Sequence, residues 1–143
     1  MKHKNARWPY SLRDSELFAD CNDDELDRIG PLLTELRLEA GKVLLREGSW
    51  DRQFMVIAEG HVAVTSGVDR RLLAEVGPGS FVGEMSLIDD VPRSATVTAV
   101  TPLAVYACND REFDALLASS PSVRSRIVAA SSKRRSSLAG VAA

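Results

Sequence analysis

The chain has little of what most catalytic and metal centres need. Of 143 residues only two are histidine and two are cysteine. Two thiols cannot supply the four that hold an iron–sulfur cluster, and Cys21 and Cys108 stand far apart in no metal-ligand spacing; the expected role for both is that of a small buried hydrophobe. A β-roll metalloenzyme of the cupin type takes two or three histidines and a carboxylate, whereas here His3 lies in a charged N-terminal stretch and His61 stands alone. A Ser-His-Asp arrangement would have to use His61, which sits at a turn signal with no nucleophile motif nearby. The chain also lacks any uninterrupted apolar run of about 18 residues, so no membrane-spanning helix is expected. The basic start (Lys2, His3, Lys4, Arg7) leads into no apolar segment, which argues against a secretory signal and for a cytoplasmic location. A net charge of −2 speaks against a dedicated nucleic-acid binder. No internal repeat is present, and no aromatic residue follows Phe113.

What remains is an ordinary soluble composition, 45% hydrophobic and 27% charged, in a chain long enough to bury one core. The charge is uneven. Residues 122–143 carry five basic side chains (Arg124, Arg126, Lys133, Arg134, Arg135) and no acidic one. That block reads either as a solvated helix face with a fraying tail or as a segment that docks on something anionic.

Three zones follow from the periodicities. Residues 1–16, with Trp8, Pro9, Tyr10 and Leu12 among charges, read as an arm. Asn22-Asp-Asp-Glu25 is a capping box, followed by Leu26, Ile29 and Leu33 at helical spacing, with Pro31 near the helix end. From residue 35 onward, short β-branched runs alternate with glycines 41, 48, 60, 67, 77 and 79. Strands are predicted at 35–38, 42–45, 54–58, 62–66, 71–76, 80–82, 96–99 and 103–108, which points to an eight-stranded jelly-roll sandwich. Asn109-Asp-Arg-Glu112 is a second capping box with Phe113, Leu116 and Leu117 behind it. Pro121 separates this helix from a last one carrying Val123, Ile127 and Val128. The fold class is thus mainly β, with a helical N-terminal segment and two C-terminal helices. The domain is expected over residues 17–135, and the tail, rich in serine, alanine and arginine, is expected to fray. The sandwich core is expected to lie upstream of the last helix, so that removing this helix leaves it folded.

The segment Phe81-Val-Gly-Glu-Met-Ser-Leu-Ile-Asp-Asp-Val-Pro-Arg-Ser-Ala-Thr-Val97 carries the functional signal. It places a backbone-donor turn at Gly83, a carboxylate at Glu84 and a guanidinium at Arg93 within eleven positions. Glycine permits close approach of the backbone to an anion, and successive N–H groups at a helix start form an anion-binding concavity. An arginine can present its planar fork to a phosphate. A carboxylate in an otherwise apolar stretch needs a partner, and a sugar hydroxyl would serve.

Gly-Glu-x-Ser-Leu followed by Pro-Arg-Ser-Ala-x-Val resembles the phosphate-binding cassette of the cyclic nucleotide-binding domain family, which includes Crp-type regulators, kinase regulatory subunits and gated channels. Gly41, Glu47-Gly48, Gly60 and Gly77-x-Gly79 fall where that family places its strand turns. The resemblance covers residues 17–135 and implies a non-catalytic cyclic-nucleotide sensor with no cofactor. It assigns phosphate and ribose to Gly83, Glu84, Met85, Ser86, Arg93, Ser94 and Ala95, with Glu84 on the ribose 2′-hydroxyl and Arg93 on the phosphate. It places the base against Val64, Leu73, Ala74, Val76, Val82 and Ile127. Serine at position 94, where the family has alanine with cyclic AMP and often threonine with cyclic GMP, leaves both ligands open and leans to cyclic AMP. With no late aromatic, a lid over the base has to use Ile127, Val128, Leu138 or an arginine such as Arg124 or Arg126. Lys133-Arg-Arg-Ser-Ser-Leu138 also resembles a basophilic serine-kinase substrate site. The alternative reading is the ligand-binding part of a Crp-like transcription regulator without its helix-turn-helix, because the chain ends about thirty residues after Phe113, which makes DNA binding unlikely. The effector protein is not legible, and homodimerisation is left open.

Overall fold

The computed structural model describes the backbone of residues 11–142 and the side chains of residues 11–135. Trp8, Pro9 and Tyr10 of the expected arm, and the side chains of Ser136, Ser137 and Leu138, lie outside the described residues. Eight antiparallel strands build two sheets among them: β1 (Thr34–Leu38), β2 (Val43–Leu45), β3 (Gln53–Glu59), β4 (Val62–Ser66), β5 (Arg71–Val76), β6 (Phe81–Val82), β7 (Thr96–Ala99) and β8 (Leu103–Asn109). One sheet has the order β1-β8-β3-β6 and the other β2-β7-β4-β5. Every predicted strand is present, with ends displaced by at most one residue.

The central strands of the first sheet are buried on both faces, which is why β3 and β8 read as near-continuous apolar runs rather than alternating ones. Alternate side chains of a strand point to opposite faces. Met55 and Ile57 therefore join Val105 and Ala107 in the core between the sheets, with Leu44, Leu45, Val62, Val97 and Ala99 opposite. Phe54 and Val56 face the other way, with Tyr106 and Cys108, into a second core roofed by helices.

Those helices are α1 (Asp23–Ile29), α2 (Glu84–Asp89), α3 (Asp110–Ser119) and α4 (Pro121–Ala142), with 3-10 turns at Leu12–Asp14, Glu16–Phe18 and Gly30–Leu32. Both predicted capping boxes form: Asn22 accepts from the Glu25 amide and Asn109 from the Glu112 amide, each at 2.8 Å, and each glutamate returns the bond. Pro31 lacks an amide hydrogen, and α1 gives way there to the 3-10 turn. Among the described residues no helix is long and apolar enough to cross a membrane. Cys21 and Cys108 are both buried and unbonded to each other, and burial pushes the Cys108 thiol up to about 12.

The last helix departs from expectation in three ways. It runs as a helix through Ala142, past residue 131 where the sequence reading begins the tail. Val123 and Ile127 are fully buried with Phe18, Phe54, Phe113 and Leu116, so the first two turns of α4 belong to the core. Ile127 is therefore no lid over a base; its position in the helical repeat turns it toward α3 and the 3-10 turn at Glu16–Phe18. Val128, one position on, is 43% exposed.

Truncation after Ser120 is accordingly expected to unfold the domain, against the sequence-based expectation. Ile127→Ala should cost about 2–5 kcal/mol, as for other large-to-small core changes. A denaturant midpoint unchanged by Ile127→Ala would place the side chain outside the core.

Candidate functional site

A cavity of about 290 Å³ opens where β4, β5 and β7 of one sheet meet the N-terminus of α2. It brings together Gly83, Glu84, Met85, Ser86, Arg93, Ser94 and Ala95 with Val64, Leu73, Ala74, Val76 and Val82, all singled out from the sequence. Leu45, Val97 and Arg134 complete the wall. The polar side chains gather at the α2 end, and the opposite end is aliphatic. A bulge shapes that aliphatic end: β4 and β5 pair Val64 with Ala74 and Thr65 with Leu72, so Leu73 is the extra residue. An unpaired residue in a strand breaks the strict alternation of faces, and Leu73 and Ala74 both border the cavity.

Gly83 has a φ of 97° and starts α2 from a left-handed conformation. A Cβ there would collide with the Gln53 carbonyl oxygen on β3. The demand for glycine thus comes from the strand behind the turn as well as from any ligand in front of it. The first turn of α2 presents N–H groups that have no partner within the helix, and Glu84, Met85 and Ser86 of that turn border the cavity.

Arg93 is only 4% exposed. Its Nη1 donates to the Gly83 carbonyl at 2.8 Å and to Ser86 Oγ at 2.6 Å. Its Nη2 donates to the Gln53 carbonyl at 2.6 Å and to Asp51 at 3.3 Å. A guanidinium has five N–H groups, and the remaining one, on Nε, is buried with no partner. The two-pronged fork expected from the sequence is thus turned onto the protein, leaving a single donor. Burial lowers the guanidinium pKa, and the Asp51 carboxylate opposes that shift.

Glu84 is 1% exposed. Its Oε1 accepts from Arg134 Nη1 at 2.8 Å, and its Oε2 is buried with no partner. Burial raises the carboxyl above the ordinary glutamate range, against the opposing pull of Arg134, its own backbone amide and Arg93. Two residues of the cavity wall thus each keep a buried polar atom without a partner, a donor on Arg93 and an acceptor on Glu84. Native interiors rarely leave such groups unmet.

Sequence reasoning missed Asp51, Gln53, Leu45, Val97 and Arg134. Leu45 and Val97 are register partners in β2 and β7, which inward alternation could have suggested. Arg134 lay in the acid-free block, but nothing local distinguished it from Arg124 or Arg126, the arginines proposed for a lid. Arg126 instead pairs with Asp20 at 2.5 Å, and Arg124 is exposed.

A carboxyl whose folded pKa is raised contributes stability below the unfolded value and loses it as pH rises through the folded value. Without ligand, Glu84→Gln should match the natural chain at acidic pH and exceed its melting temperature at neutral pH. A lower melting temperature for the variant at neutral pH would mean that the Arg134 ion pair outweighs the desolvation.

Comparison with known proteins bears on the same residues. The cyclic nucleotide-binding domain profile matches residues 35–120. The acetyltransferase Pat of Mycolicibacterium smegmatis is 34% identical over 104 residues, 71% of this chain and 31% of that protein. A cyclic nucleotide-gated potassium channel of Mesorhizobium japonicum is 39% identical over 108 residues, 75% of this chain and 29% of the channel. The regulatory domain of Toxoplasma gondii PKA, co-crystallised with cAMP, has a TM-score of 0.65 and 30% identity, covering 73% of this chain and 41% of that one. The chain spans about a third of the length of the two curated relatives. Since the matched stretch runs from β1 to the end of α3 and takes in the strands and the α2 turn around the cavity, the chain belongs to the cyclic nucleotide-binding domain family.

Proposed function

We propose that the cavity binds a 3′,5′-cyclic nucleotide, cyclic AMP in preference to cyclic GMP, and that the domain reports occupancy through α4 without chemistry of its own. The observation that carries this reading is that two residues walling one cavity each keep a buried polar group without a partner, Arg93 Nε–H and Glu84 Oε2. A cyclic nucleotide has a matching acceptor and donor on neighbouring groups, the exocyclic phosphate oxygen and the ribose 2′-hydroxyl. The N–H groups at the start of α2 add donors for the anion. The aliphatic wall of Val64, Leu73, Ala74, Val76 and Val82 then takes the base. Ser94 borders the cavity and supports the preference for cyclic AMP, as does the cAMP held by the Toxoplasma relative.

Regulation rather than catalysis suits a family that is generally non-catalytic. The relatives named above pair the domain with an acetyltransferase, a channel and a kinase, which supports an effector that is a protein, attached or separate. A cytoplasmic setting and the absence of DNA contact by these residues are part of the same reading. The ligand can bias α4 only by its differential affinity for two arrangements of that helix.

Calorimetric titration tests the reading directly. Cyclic AMP should bind, cyclic GMP more weakly, and saturation at a hundredfold excess over the dissociation constant should stabilise the fold by about 2.7 kcal/mol. No heat and no melting shift with either nucleotide at millimolar concentration would sink it. Arg93→Lys keeps the charge but loses the planar donor set. It should weaken binding about ten- to a hundredfold and also lower the ligand-free melting temperature, because the Gln53 and Gly83 carbonyls lose their donor. An unchanged dissociation constant would show that Arg93 does not touch the phosphate.

A further inference from the structure

One row of side chains crosses the aliphatic wall of the cavity. Leu45 on β2 is the register partner of Val97 on β7, Val97 of Val64 on β4, and Val64 of Ala74 on β5. The row thus spans the whole sheet β2-β7-β4-β5, and each of its side chains borders the cavity. The outermost strand, β5, is an edge strand with β4 as its neighbour. Past the row comes the Leu73 bulge, beyond which Thr65 pairs with Leu72 and Ser66 with Arg71 before the turn. A bulge disrupts the ladder and bends the strand, so the angle at which this hairpin stands depends on what holds its tip.

Glu47 holds that tip. Its Oε1 accepts from the Gly67 amide in the β4–β5 turn at 2.9 Å, and its own amide donates to Thr96 Oγ1 at 3.0 Å. A carboxylate accepting from a backbone amide makes a charge-assisted bond. Glu47 lies just past the end of β2, Thr96 opens β7 and Gly67 follows the last residue of β4. The bonds of one residue therefore clasp the three strands at the end of the sheet nearest the row. The next two residues of the same loop hold Arg93: the Gly48 amide donates to the Arg93 carbonyl at 2.9 Å, and the Arg93 amide donates to the Ser49 carbonyl at 2.8 Å. Residues 47–49 thus tie the hairpin behind the aliphatic wall to the backbone of the arginine at the polar end.

We propose that Glu47 is a positioning residue for the base: it pins the β4–β5 hairpin at its tip and thereby sets the distance between the aliphatic wall and the phosphate anchor at Arg93. The inference rests on the cyclic-nucleotide reading above, and Glu47 acts through the hairpin rather than by touching the ligand. A ligand with a base at one end and a cyclic phosphate at the other gains from both ends only when the two are held at its own length apart. Without the pin the ligand has to order the hairpin itself, and that ordering is subtracted from its affinity. The loss falls on the base, because the side chain of Arg93 is held against Gly83 and Gln53 by bonds in which Glu47 takes no part.

The test uses the full chain, with Glu47→Ala, Glu47→Gln and, as a control that removes an exposed carboxylate from β5, Glu75→Ala. Dissociation constants are measured for cyclic AMP and for a ligand without a base, the 3′,5′-cyclic phosphate of methyl riboside. The natural chain should prefer cyclic AMP about tenfold or more, from burial of the base. Glu47→Ala should cut that preference about two- to tenfold, the range for one hydrogen bond, by weakening cyclic AMP while the base-free ligand binds as before. Glu47→Gln keeps an acceptor oxygen and should fall between, and Glu75→Ala should leave the preference alone. Exchange of the Gly67 amide should quicken in Glu47→Ala and slow again when cyclic AMP binds. A merely structural role would weaken both ligands equally. Equal weakening, unchanged constants, or exchange at Gly67 that ignores the substitution would each overturn the inference while leaving the site reading intact. A natural chain that held the base-free ligand as tightly as cyclic AMP would overturn it too, since the wall would then take no base. If the natural chain bound neither ligand, the site reading would fall and this inference with it.

Discussion

Arg93 is the constraint on which the site depends. It enters from the loop before β7, pinned by a bond from its own amide to the Ser49 carbonyl and from the Gly48 amide to its carbonyl. From there it ties the end of β3 at Gln53, the Gly83 turn and Ser86 of α2 into one unit. A buried guanidinium is tolerated only when its donors are satisfied and its charge is opposed. Asp51 and Glu84 oppose it, and the carbonyls use its donors. The arginine is thus a structural rivet with one buried donor left without a partner. The site is preorganised by the same bonds that hold the fold.

Helix α4 is attached by two kinds of physics. Its first turns bury Val123 and Ile127 in the helical core, a non-directional contact whose loss is expected to destabilise the domain. Its later turns rest on ion pairs whose arginines are 33% and 41% exposed. The Arg135–Asp89 pair, hydrated on both sides, is of the individually weak kind, whereas the pair of Arg134 has a buried partner in Glu84. In the reading proposed above, a ligand biases the far end of the helix while the near end stays part of the core. Stability and responsiveness are separated along one element, which suits a module found in proteins as different as an acetyltransferase and a channel.

The two ends of the cavity are equally distinct. At the α2 end, buried charge and unmet donors demand a specific partner, and a missing hydroxyl or phosphate leaves them unpaired. At the other end the wall is aliphatic and set by the Leu73 bulge on an edge strand. Apolar walls discriminate weakly between ligands of similar size. In the proposed reading, recognition is consequently strict for the sugar and phosphate and looser for the base.

The sequence by itself determined the eight strands, because β-branched runs between glycines leave few alternatives, and both helix starts, because Asn22 and Asn109 cap locally. It also marked the Gly83–Arg93 segment, whose chemistry is concentrated in eleven consecutive positions. Only the tertiary structure decided which way Arg93 turns, since its Nη2 meets Gln53 and Asp51, which are 40 and 42 positions away in the chain. It alone moved Ile127 from the site to the core, because an apolar side chain at helical spacing does not say which apolar surface it will meet. It alone selected Arg134 among five basic residues of the same block, since an ion pair between positions fifty residues apart depends on where α2 and α4 come to lie. Local patterns of period and capping are written in neighbouring residues. Pairings that close a site across the fold are written in the packing.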